Sequence, residues 1–210
     1  MSTILKVKIT FITPVLGSAP ADTEIYNTYI AANSPNAGEE AACIPDEKFD
    51  IKGKTVFLRD ADGNPLLWDY QIRGFFKHAC GIIKLANTKS ASAKIKAYKK
   101  YIDGMVFVYG AGKDGSVKPD EMRRKIPINY DGEIGDLQRS LRADTAQGPR
   151  VSLANSEKIE AGAYAYFYID LLNDDMQKAV MEWLDYGKYN GLGQWRNGSY
   201  GRFTYEIVEE

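Results

Sequence analysis

Gly191, Gly193, Gly198 and Gly201 fall within eleven residues, and Leu192, Trp195, Arg196, Tyr200 and Arg202 are interleaved with them. Glycine opens backbone conformations closed to other residues and lets a phosphate approach amide donors. Arginine adds charge-assisted, often bidentate contacts to phosphate oxygens. Trp195 and Tyr200 could offer ring faces to the bases of a single strand. The same stretch also reads as a tight connection whose aromatics pack inward, and taken alone it leaves these two readings level.

Other chemistry is thinner. The single histidine, His78, lies in FFKHACGII, a helical setting that suits packing or a surface role better than service as the base of a Ser-His-Asp triad. With one histidine, a zinc site would need an unusual ligand set. Cys43 and Cys80 have no CxxC spacing and read as reduced structural thiols. Asp50 and Asp60 are weak catalytic candidates, since DADG around Asp60 makes a good turn unaided. No metal or other cofactor is expected.

A net charge of −1 over 210 residues excludes a whole-molecule electrostatic footprint, so a nucleic-acid site must be a local patch. The N-terminus alternates apolar and polar residues instead of forming a signal peptide, and no stretch has the length of a membrane span. A cytoplasmic protein without a membrane partner is expected. With 44% hydrophobic residues, 14 tyrosines and 8 phenylalanines, the chain is too apolar for disorder and long enough for one good core.

The elements that must position the glycine-rich stretch follow from periodicity. Leu5, Val7, Ile9 and Phe11 alternate with polar residues and predict a first strand. An Ala-, Pro- and acid-rich insertion follows, with a short amphipathic piece around Ile25, Tyr29 and Ile30. KTVFLRDADGNPLLWDY reads as a strand, a turn and an apolar approach to a helix. Ile72, Phe75, Phe76, Ala79, Cys80 and Ile83 recur at helical spacing, and SASAKIKAYKKYI predicts a second helical stretch with a solvated lysine face. DGMVFVYG is strand two. Residues 111–158 read as an extended hairpin, made basic by Arg123, Arg124, Arg139, Arg142 and Arg150. AYAYFYIDLL is strand three, Asn173 is a natural N-cap for a last helix ending near Gly187, and YGRFTYEIVEE is strand four. The order is that of an α+β, ferredoxin-like (RRM-like) βαββαβ core. One domain over residues 1–210 is expected, with long insertions at about 14–69 and 111–158 and a projecting β-hairpin.

Several segments, in order, resemble the RAMP superfamily, the repeat-associated proteins that form RNA-binding subunits of CRISPR effector complexes. LKVKITFITPVLGSAP is similar to that family's opening strand and turn, and RDADGNPLLWDYQIRGFFKHACG to its Asp-rich turn and helix start. The family's usual Pro-Gly-Ser-Ser before Leu-Lys-Gly is replaced here by residues Asp69 to Gly74. RVSLANSEKIEAGAYAYFYIDL resembles the hairpin return and GLGQWRNGSYGRF the C-terminal glycine-rich loop. The resemblance implies guide-RNA backbone contacts at Arg73, Gly74 and Lys77, then at Gly191, Gly193, Arg196, Gly198, Gly201 and Arg202. Some family members cleave RNA with a loop aspartate and divalent metal. LWDYQIRGFFK, LRADTAQGPRVSLANSE and EWLDYGKYNGLGQWRN also resemble small proteins encoded in bacteriophage genomes.

The leading expectation is a non-enzymatic module that holds single-stranded RNA in the cytoplasm of a bacterial host. The alternative is a phage-encoded protein-interaction module, an anti-CRISPR inhibitor that imitates an effector subunit and binds CRISPR effector proteins. A third reading is a metal-dependent ribonuclease. Self-association is compatible with the first two.

Overall fold

The computed structural model describes residues 3–21, 53–145 and 148–209. Cys43, Asp50 and the amphipathic piece around Tyr29 lie outside the described residues. In chain order the strands are β1 (Thr3–Phe11), β2 (Val15–Leu16), β3 (Ala19–Pro20), β4 (Lys54–Val56), β5 (Leu58–Arg59) and β6 (Pro65–Trp68). Then follow α1 (Asp69–Ala86), α2 (Tyr98–Met105), β7 (Val106–Gly110), β8 (Lys125–Pro127), β9 (Gly135–Thr145), β10 (Gly148–Ile159), β11 (Tyr164–Leu171), α3 (Gln177–Tyr186) and β12 (Phe203–Ile207). The class is α+β with several antiparallel sheets.

The main sheet runs β12-β1-β11-β7, every neighbour antiparallel. The odd-numbered residues of β1, Leu5 to Phe11, are buried against α1 and α3, as the period-two pattern requires. Between the layers Phe75 lies 5.2 Å from Phe203 and Phe76 lies 5.4 Å from Trp183, centroid to centroid. Trp183 and Phe76 are fully buried, and rings of this size dominate a core's energetics. Cys80 is buried in the same layer, and burial pushes its thiol pKa up, as expected of an inert structural cysteine.

The helical stretch predicted over 90–102 is broken. A 3-10 turn at Ser92–Lys94 is followed by Ala97 in the left-handed region at φ 46°, and only then by α2. A long-range contact holds the break: Glu182 of α3 accepts from the amides of Ala91 (2.7 Å) and Ser92 (3.0 Å) and from the Ser92 hydroxyl (2.6 Å). The solvated lysine face survives, with Lys94, Lys96, Lys99 and Lys100 exposed. Asn173 caps as expected, its side chain accepting from the Asp175 amide at 3.0 Å, although the first turn is 3-10.

The insertions build a second sheet. β9 and β10 form the long hairpin, and β10 pairs with β2 and, in parallel, with β4. Its base is tied by charge. Glu157, only 4% exposed, accepts from the Phe57 amide (2.8 Å) and from Arg59 (2.8 Å), and buried Lys54 pairs with Asp136 at 2.7 Å. A small sheet, β5-β6-β8, delivers the chain into α1. No described helix is long and apolar enough to cross a membrane.

Candidate nucleic-acid interface

The glycine-rich stretch joins α3 to β12 as a loop whose neck is made by backbone hydrogen bonds and the Thr13 hydroxyl. The Leu192 amide donates to the Gly201 carbonyl (2.9 Å), the Gly201 amide to Pro14 (2.7 Å) and the Arg202 amide to the Thr13 hydroxyl (2.9 Å). Leu192 drops into the core at 3% exposure. A Cβ on Gly191 would lie 1.7 Å from the Gly201 carbonyl oxygen, so the two runs cross only because both residues lack side chains. Gly193 abuts the Leu16 backbone, and Gly198 abuts the Trp195 ring. At all four positions the glycine is required by the protein's own packing.

Beyond the neck the loop presents side chains. Trp195 stands in the left-handed region at φ 52°, and so does Ser199 at 71°, a conformation that costs non-glycine residues energy and that surrounding contacts must hold. The contacts are visible. Trp195 stacks on Tyr200 with centroids 5.0 Å apart and 15° between planes, and the Arg139 guanidinium sits 4.7 Å from the Trp195 centroid. Arg139 also donates to Gln194 Oε1 at 3.3 Å. Thr55 donates to Ser156 at 2.8 Å and, more weakly, to the same Gln194 oxygen at 3.4 Å. A cation over one ring and a second ring beneath it are each worth about 0.5–1.5 kcal/mol. Loop and hairpin are thereby joined into one surface.

Trp195 remains 38% exposed at the rim of this stack, Arg196 is exposed, and Arg202 is half-buried. The Nε atoms of Arg139 and Arg202 are buried without a protein partner. Gln194, Thr55 and Ser156 were not singled out from sequence, and Arg139 was read there as one of the arginines that make the hairpin basic, without a place beside the loop. Arg139 could be found only by knowing that β9 pairs Arg139 with Ala154 and so lays it beside the loop.

The helix-start residues have other neighbours. Arg73 donates to Asp69 at 3.3 Å, Arg124 reaches the same carboxylate at 3.3 Å, and Lys77 pairs with Asp103 of α2 at 2.6 Å. Gly74 is exposed, with no atom within 4 Å of where a Cβ would stand. The helix begins with the Trp68 amide donating to Gln71 Oε1 (2.9 Å), a side-chain cap supplied from within its own first turn. At His78, next after Lys77, burial first and then the Arg196 charge lowers the pKa. Its Nε2 is buried without a partner and its ring lies 6.0 Å from Tyr186.

Asp60 is committed to its turn. Its Oδ1 accepts from the Asn64 amide (2.8 Å) and the Asp62 amide (3.0 Å), and the Asn64 side chain holds Oδ2 at 3.0 Å. Among the described residues no three His, Cys, Asp or Glu side chains gather as metal ligands would. Asp50 lies outside the described residues.

No family model and no curated protein matches the chain. Among solved structures, it is similar to a chain in a cryo-EM structure of the Type III-B Cmr-beta bound to cognate target RNA, at a TM-score of 0.45 and 13% identity. That match covers 99% of this chain and 59% of the other, so the chain spans about three-fifths of the length of the protein it matches.

Proposed function

We propose that this is a RAMP-like module with a ferredoxin-like core that holds single-stranded RNA by its backbone, without catalysis. The strand order β12-β1-β11-β7, with α1 and α2 between β1 and β7 and α3 between β11 and β12, supports the core assignment. The observation that carries the functional reading is the Arg139–Trp195–Tyr200 stack, which fuses the glycine-rich loop to the hairpin and leaves Arg196 exposed at its edge. Cations beside ring faces are what a sequence-tolerant single-strand binder needs. Affinity then comes mainly from phosphate contacts and falls steeply with salt.

The test is binding of several unrelated single-stranded RNAs by the parent and by the Arg196→Ala, Arg202→Ala double variant. Equal weakening for all sequences, with a shallower salt dependence, supports the reading. Unchanged affinity in a folded double variant sinks it.

A second reading, a phage-encoded protein-interaction module acting on CRISPR effector proteins, draws support from a different surface. Leu85 is 84% exposed and, with Ile82, His78, Tyr98, Lys77 and Lys99, lines a hollow of about 420 Å³ on the outer side of α1. A pull-down from host lysate that yields a nuclease-resistant complex, with no affinity for free RNA, favours it.

A further inference from the structure

The residues of β1 and β11 that point away from the core make an unusual sheet face. Lys6, Lys8 and Thr10 stand in register with Tyr168, Tyr166 and Tyr164. Lys8 Nζ lies 5.2 Å from the Tyr164 centroid, Lys6 Nζ lies 5.9 Å from that of Tyr168, and Tyr164 meets Tyr166 edge-on at 5.7 Å. The face is divided along its length. Gly115, in the connection after β7, packs on Tyr166 and Lys6, and Tyr168 is buried. Tyr164 and Lys8, both half-buried, lie on the other part of the face.

That part adjoins the glycine-rich loop. Thr10 pairs with Tyr164 and Phe11 with Phe203, so the loop enters β12 at this end of the sheet. Lys158 pairs with Leu16, whose backbone Gly193 of the loop abuts, and Tyr130 follows Asn129, which bridges to Tyr164. Lys158 donates to Glu160, and that hydrogen bond chiefly raises the Lys158 pKa, with the charges of Glu160, Tyr200 and Tyr130 adding to it. Cations and rings are thus carried by adjacent elements, the loop, the hairpin base and this end of the sheet.

We propose that Tyr200, Lys158, Tyr130, Tyr164 and Lys8 form one track for a single RNA strand, its phosphates on the cations and its bases on the rings. This rests on the RNA-binding reading above and adds the sheet end to the site. The occupant is a single strand because a duplex keeps its bases stacked away from such rings. The carboxylates that now pair with the track's lysines are at its outer side: Glu160 is 51% exposed beside Lys158, and Glu206 is 71% exposed 3.9 Å from Lys8. Surface pairs of this kind are weak, and phosphate takes their place.

The experiment measures fluorescence anisotropy of a labelled oligouridylate of about ten nucleotides, a length in the range a single domain covers. It compares the parent with Tyr164→Ala, Tyr164→Phe and Lys8→Gln, and with Lys100→Gln on the far helical face as control. Loss of one stacked base weakens binding at least about fivefold in Tyr164→Ala, and the ring of Tyr164→Phe restores it. Lys8→Gln lowers the salt slope by about 0.7 and Lys100→Gln leaves it unchanged. Thermal melting of each variant separates lost contacts from lost folding, and the surface change Lys8→Gln decides the matter if Tyr164→Ala melts early. Parent-like affinity and salt slope in Lys8→Gln, with loss in the Arg196→Ala, Arg202→Ala variant, overturn the track and leave the loop reading standing. A parent that binds no RNA, or captures only a nuclease-resistant protein, overturns both.

Discussion

Gly191 and Gly74 make opposite predictions for the same substitution. Gly74 lies inside α1 with open space around it, so Gly74→Ala only removes unfolded-state freedom and should stabilise by about 0.5–1 kcal/mol. At Gly191 a Cβ meets the Gly201 carbonyl oxygen at 1.7 Å and its carbon at 1.9 Å, both backbone atoms that no rotamer change can move. The neck must open by more than an ångström, which breaks the 2.9 Å bond from Leu192 to Gly201 and withdraws Leu192 from the core. One lost hydrogen bond at about 1 kcal/mol and overpacking at about 1–3 kcal/mol place Gly191→Ala about 2–4 kcal/mol below the parent. For a chain of this size that is roughly 5–15 °C in Tm, against a rise of about 1–4 °C for Gly74→Ala. Thermal melting by circular dichroism reads both. A Gly191→Ala protein melting at or above the parent temperature refutes the crossing of the two runs. Gly74→Ala also tests an RNA contact at that position, because any loss of binding there comes from a protein at least as stable as the parent.

Two other predictions concern charge. Glu157→Ala strips the Phe57 amide and Arg59 of their buried acceptor and should cost about 3 kcal/mol, near the lower end for a broken buried pair because Arg59 is 23% exposed and regains water. Urea unfolding followed by tryptophan fluorescence measures it, and a loss under about 0.5 kcal/mol contradicts the account. His78 has its pKa lowered from 6.5, so below that value the unfolded chain binds the proton more readily than the folded one. The stability it contributes is present above pH 6.5 and is lost as pH falls through the folded-state pKa. Tm should drop between about pH 7.5 and pH 5.5 by more in the parent than in His78→Gln, and parallel pH profiles would show that His78 is not the group responsible.

Local patterns were legible: alternation in Leu5 to Phe11 announces a strand with one buried face, the aromatic run Tyr164 to Leu171 a strand with both faces partly covered, and the apolar stripe of α1 a helix. The break before α2 was not, because Glu182, far along the chain, holds Ala91 and Ser92 in a turn their own propensities do not demand. The departure at the helix start was visible as a change of residues, but that Gln71 caps the helix and Asp69 gathers Arg73 and Arg124 depends on where β6 and β8 deliver the chain.

The glycine-rich loop shows the boundary most clearly. Its place after α3 and before β12, its four glycines and its arginines are properties of the sequence, since residue type and order carry them. Tertiary structure decided what each residue is free to do. The glycines are consumed by a backbone crossing and by close packing, Trp195 and Tyr200 stack on each other, and Arg139 arrives from the hairpin to complete the surface. Such contacts depend on strand register and loop closure between residues far apart in the chain, and no local pattern encodes those distances.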